Sequence, residues 1–122
     1  MIILKYYCFV KDCFVGIMEF KKNGDITMTW EDDNKLIELA KTYKKYFNLS
    51  TTEHILAFIG ERVPDRRRPG LSVFLSGIGC NLNSSDLEIF IRNHGVSLND
   101  TFWINDTNDN SFWKDLKEAW GL

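Results

Sequence analysis

Apolar and polar residues alternate with a period of two over the first thirty residues of this chain and with a helical period thereafter. Ile2 to Phe9 is rich in β-branched and aromatic side chains. Cys13 to Phe20 resumes that character after a short turn at Val10-Lys11-Asp12, which predicts a hairpin. Lys22-Asn23-Gly24-Asp25 contains the Asn-Gly pair of tight reverse turns, both of whose residues tolerate positive φ. Asp25 to Trp30 follows with Ile26, Met28 and Trp30 in alternation. Together the three runs predict an antiparallel β-meander over residues 1–30.

From residue 31 the period changes. Glu31, Asp32 and Asp33 suit a helix N-terminus, where free N–H groups and the dipole favour negative charge. Leu36, Leu39, Ala40, Tyr43 and Phe47 then recur at helical spacing, with Lys41, Lys44 and Lys45 toward the negative end and Asn48 as a stop. Ser50-Thr51-Thr52-Glu53 reads as a capping box with Ser50 as N-cap. The helix it opens carries Ile55, Leu56 and Ile59 on one face with Phe58 beside them, and Pro64 ends it by forcing Val63 out of the helical region.

Another helix is expected from about Arg68, with Pro69 in its first turn, an apolar face of Leu71, Phe74, Leu75 and Ile78, and Gly79 as cap. Ser85 and Glu88 repeat the capping signal before Leu87, Phe90 and Ile91, and Gly95 closes that helix. A short strand at Thr101–Ile104, a polar loop at Asn105–Ser111 and a terminal helix with Phe112, Trp113, Leu116, Ala119 and Trp120 complete the chain. The expected fold is α+β in one domain, 1–122. Its β-meander of about three strands (1–30) packs with four to five helices and a short late strand (31–122).

A chain of 122 residues buries a real core without disulfides or metal. Hydrophobic residues at 44% and aromatics at 14% exclude intrinsic disorder for most of it. A net charge of -2 argues against a dedicated nucleic-acid binder, which usually carries a basic excess. No apolar run approaches a membrane span. The opening MIILKYYCFV lacks a basic region ahead of its apolar residues, and Lys5 interrupts it, so it is poor as a signal peptide. Three cysteines, an odd count without an export signal, favour reduced thiols in the cytoplasm.

Candidate chemistry is sparse. A kinase needs a phosphate-cradling Gly-rich loop, a nucleotide lysine and two working aspartates, and Gly77-Ile78-Gly79 alone reads better as a helix cap. The two histidines, His54 and His94, fall on expected helices beside apolar faces, which suits structural roles. Cys8 and Cys13 have a spacing open to zinc ligands, but they fall on opposed strands of a hairpin and Cys80 stands apart, so buried free thiols are the better reading. The loop Asn105–Asn110 lacks the ordered spacing and terminal Glu of a calcium loop. The expectation is therefore no catalytic residue, no metal and no cofactor.

Binding signals are stronger. All five arginines, Arg62, Arg66, Arg67, Arg68 and Arg92, lie between residues 62 and 92, and every other basic residue is lysine. Guanidinium groups grip carboxylates and phosphates bidentately, which lysine cannot do. Arg62 and Arg66 read as partners of Glu61, Asp65, Asp86 and Glu88, whereas Arg67 and Arg68 read as exposed. Trp103 and Trp113 suit a core, and Trp120 a partner face, since tryptophan and arginine dominate binding hot spots. Arg67, Arg68, Arg92 and Trp120 are the candidate partner-binding residues.

The order of these pieces resembles the N-terminal, non-kinase region of HipA-like proteins of low-GC Gram-positive bacteria. The resemblance rests on the hairpin KDCFVGIMEFKKNGDI and an R-x-x-P-x-x-R-like element at Arg62, Pro64-Asp65-Arg66 and Arg67 with slightly tighter spacing. A helix ending at Gly77-Ile78-Gly79 follows, then Leu87 to Gly95, then Ser97-Leu98-Asn99-Asp100-Thr101-Phe102-Trp103-Ile104 and Trp113-Lys114-Asp115-Leu116. In larger members a serine/threonine kinase domain follows, and this chain stops at Leu122, where that domain would begin. The resemblance implies toxin–antitoxin biology, with a small separate subunit restraining a HipA-like kinase. The competing expectation is a mobile-element-encoded inhibitor of a host defence nuclease, anti-CRISPR-like. There the acidic clusters Glu31-Asp32-Asp33 and Asp106 to Asp109 would mimic DNA phosphates.

Overall fold

The computed structural model describes residues 2–97 and 99–119, with Ala119 in its backbone only. Strand β1 (Ile2–Val10) and β2 (Cys13–Lys21) form the first hairpin, β3 (Ile26–Trp30) the second, and β4 (Phe102–Asn105) comes late. They make one antiparallel four-stranded sheet in the order β3-β2-β1-β4. The fold is α+β, as its periodicity predicts. The late strand joins the N-terminal meander by pairing Tyr7 with Asn105 through to Val10 with Phe102. Lys11 takes φ 56° in the first turn and donates its N–H to the Thr101 carbonyl at 3.0 Å, which fixes where β4 begins. In the second turn only Gly24 has positive φ; Asn23 instead accepts the Asp25 N–H on its side chain at 3.0 Å.

The described residues also form five helices: α1 (Glu38–Tyr46), α2 (Thr52–Arg62), α3 (Leu71–Gly77), α4 (Asp86–Arg92) and α5 (Phe112–Ala119). Three of their starts differ from the sequence expectation. Helix α1 begins after the acidic cluster, because the Asp32 carboxylate accepts the Asn34 N–H in a local turn and Leu36 is buried before the helix opens. At α2 the cap is Thr51, whose hydroxyl accepts the His54 N–H at 3.1 Å, while Ser50 contacts the His54 ring. Helix α3 starts at Leu71, because Gly70 sits in the left-handed region at φ 76° and the chain from Asp65 to Arg68 is a turn closed by the Arg68 N–H.

Helix ends follow sequence more closely. Val63 is extended before Pro64, and α2 stops there. After α3, Gly79 at φ 78° and Cys80 donate to Ser76 and Leu75 carbonyls, the Schellman arrangement. The same arrangement ends α4, but with His94 (φ 54°), not Gly95, in the first left-handed position.

Both faces of the sheet are used. One face presents Cys8, Val10, Met18, Phe20 and Ile26 to Leu36, Ala40, Ile55, Phe58, Ile59 and Phe90. The other packs Phe9 and Trp103, rings stacked at 4.4 Å, against Leu116, with Phe112 and Trp113 alongside. Trp103 is core as expected, and Trp113 packs partly buried at its margin. A third cluster seats Leu71, Leu75 and Cys80 of the α3 region on Ile89 of α4. On α2, Ile55 and Ile59 are buried as expected, but Phe58 joins them in the core and Leu56 is half-exposed, so those two exchange their expected places.

Candidate interaction surface

The arginine segment and the SLNDTFWI stretch meet. Arg62, at the end of α2, donates Nη1 to Asp100 Oδ2 at 2.6 Å and Nη2 to Asp100 Oδ1 at 2.8 Å. Its Nε reaches the Gly95 carbonyl at 2.6 Å and its Nη2 also the Phe102 carbonyl at 2.9 Å. Three aromatic rings, Phe58, Phe102 and Phe47, lie 4.8, 5.3 and 5.8 Å from the guanidinium carbon. Asp100 additionally accepts the Phe102 N–H at 3.0 Å. One buried cation therefore joins the end of α2, the loop after α4 and the start of β4. A bidentate pair with further backbone acceptors suits arginine's fixed fork and not lysine's single ammonium.

Sequence reasoning assigns Arg62 a structural ion pair but gives it the wrong partner. Asp100 lies 38 residues away, and Glu61, Asp65, Asp86 and Glu88 do not pair with Arg62 among the described residues. The usable signal was an Asp placed two residues before a buried strand residue, where it can cap the strand's first N–H and still face inward. Arg66 pairs with Asp86 at 2.8 Å, as expected, and adds bonds to the Leu82 and Ser84 carbonyls.

The remaining arginines divide. Arg67 is 90% exposed in its side chain and folds back on Asp65, whose carboxyl it holds below the ordinary range by direct hydrogen bonding. Arg68 is exposed and makes no ion pair among the described residues. It lines a groove of about 460 Å³ above the Arg62–Asp100 pair, formed by Glu61 to Pro64, by Phe74 of α3 and by Asn93, Val96, Ser97 and Asn99. Arg92 lines a different concavity, of about 630 Å³, between α4 and the outer half of β1. The structure thus does not bring Arg68 and Arg92 to one site. Trp120 lies outside the described residues.

Sequence periodicity missed the apolar side of the groove. It assigned Phe74 to the buried face of its helix, yet Phe74 is 41% exposed and the adjoining Val73 77% exposed. The seven-residue α3 turns only Leu71 and Leu75 inward, since its start is displaced by the Gly70 turn.

The acidic clusters have local work. Asp33 pairs with Lys44 at 3.0 Å, and Asp109 accepts the Ser111 N–H, which lowers its pKa. Burial pushes the Cys8 thiol far above the ordinary thiol range, and burial raises Cys13 as well. Among the described residues no three His, Cys, Asp or Glu side chains converge as a metal site, and no helix is long and apolar enough to cross a membrane. No family model, curated protein or solved structure matches the chain.

Proposed function

We propose that this chain is a non-catalytic protein-interaction module resembling the N-terminal region of HipA-like toxin kinases, acting as an antitoxin-like regulatory subunit. The observation that carries the docking part of this reading is the groove beside α3, where Arg68 and the exposed Phe74 share one concavity. An aromatic anchor next to an arginine is the usual composition of a binding hot spot. The buried Arg62–Asp100 pair beneath supplies a rigid floor, so little ordering cost accompanies docking. Arg67 does not line the groove; exposed and already engaged with Asp65, it contributes steering more than affinity.

The kinase part of the reading rests on the motif order from Arg62 to Leu116, two pieces of which meet at Arg62 and Asp100. Coexpression with a HipA-like kinase followed by pull-down tests it. The expected result is recovery of the kinase with the wild-type chain and its loss with Arg68→Glu combined with Phe74→Asp. Recovery of a nuclease instead, with binding that weakens steeply as salt rises, would favour the acidic-mimic alternative.

A further inference from the structure

The sheet has an unfilled position beside its last strand. Strand β4 pairs with β1 only from Tyr7 to Val10, while β1 continues outward to Ile2. On that side Leu4 to Tyr6 has no neighbouring strand among the described residues. The concavity of about 630 Å³ lies in this position. Leu4 and Tyr6 form its β1 wall, Ile104 and Asn105 the end of β4, and Leu87 and Ile91 of α4 its other wall. It is the slot that β4 would fill if it ran on past Asn105.

We propose that this slot receives a short extended segment of another protein by β-strand addition, with one apolar side chain in the cavity and a Lys or Arg beside it. Strand addition takes affinity from main-chain hydrogen bonds and specificity from pockets for alternate side chains, and this slot offers both. Between Leu4 and Tyr6 only Lys5 turns its N–H and C=O into the slot, in phase with Lys11, which donates to Thr101 on the same side, so the side-chain anchor must carry much of the selectivity. Charge selects the flanking residue. Glu88, Arg92 and Asp106 line the mouth, and none of the three forms an ion pair among the described residues. Two carboxylates against one guanidinium leave the mouth acidic, which favours a cationic guest.

A second copy of this chain fits less well. The register of β1 on β2 shifts between Ile2 and Leu4, and such an irregularity, together with Lys5, disfavours the long flat pairing that self-association needs. Lys5 also alternates with Leu4 and Tyr6 along the strand, so a copy that seated those two in the slot would turn its lysine to the opposite face. The slot and the Arg68 groove share no lining residue, so the two surfaces can be tested separately.

The test is an NMR titration of the full chain with three blocked synthetic hexapeptides. Each alternates Val and Thr around a central Leu, and they differ only in Lys, Thr or Glu two residues from it, on the same face of the strand. Amide shifts centred on Leu4 to Tyr6, Ile91, Arg92 and Ile104 are expected. The Lys peptide should bind about threefold to fivefold more tightly than the Glu peptide, the range of an exposed ion pair. Glu88→Gln with Asp106→Asn should abolish that preference while leaving the shift pattern. Absence of shifts with all three peptides at millimolar concentration overturns the proposal, as does tighter binding of the Glu peptide. Concentration-dependent dimerisation abolished by Leu4→Glu would also overturn it, in favour of a second copy.

Discussion

Arg62 is the residue on which most of the molecule's order converges. Removing it leaves the mostly buried Asp100 carboxylate without its cationic partner and frees two backbone carbonyls, so Arg62→Ala should lower stability by about 3–5 kcal/mol. Arg62→Lys should recover only part of this, because a single ammonium cannot serve Asp100, Gly95 and Phe102 together. Urea unfolding of the three proteins checks both statements. Two glycines give opposite expectations. A Cβ at Gly16 would stand 2.5 Å from the Thr29 carbonyl oxygen and 3.0 Å from the Trp30 Cα, both backbone atoms of β3, so Gly16→Ala should destabilise. A Cβ at Gly60, inside α2, meets nothing within 4 Å, so Gly60→Ala should stabilise by about 0.5–1 kcal/mol in the same assay. The buried Cys8 thiol adds a pH dependence. Its folded-state pKa is raised, so its contribution is complete below the unfolded thiol value and is lost as pH rises above it. Urea midpoints should therefore fall above about pH 8.5, and Cys8→Val should flatten that fall.

At the scale of elements, helix and strand types were legible because each carries a clear apolar period. The starts of α1, α2 and α3 were less so, because short polar residues compete for local turns. Ser50 and Thr51 illustrate the difficulty: both are good caps, adjacent, and only the chain's entry angle decides between them. The structure gives the cap to Thr51. Thr51→Ala should cost about 1 kcal/mol, and Ser50→Ala distinctly less, by thermal unfolding followed by circular dichroism. Sequence periodicity places His94 on a helix, but it ends α4 in the left-handed region. Its Nδ1 lies 3.1 Å from the Ile104 carbonyl oxygen and its ring 4.1 Å from that of Phe112. Long-range partners of this kind hold α4, β4 and α5 together, and no local period announces them.

For the whole molecule, the sheet order places β4 beside β1, which the alternation of a single late strand could not reveal. It also separates the candidate binding residues: Arg68 belongs to the α3 groove and Arg92 to the slot beside β1. A cluster of arginines in sequence was thus readable, but its division into a buried tie, a surface pair and two separate rims required the fold. The docking claim is decided most directly by titration calorimetry of the chain with a purified HipA-like kinase. Saturable binding is expected, weakening at least about tenfold in Arg68→Glu with Phe74→Asp, a loss equal to about 1.4 kcal/mol, with unfolding midpoints unchanged. Absence of binding, or equal binding by the variant, would contradict the docking claim.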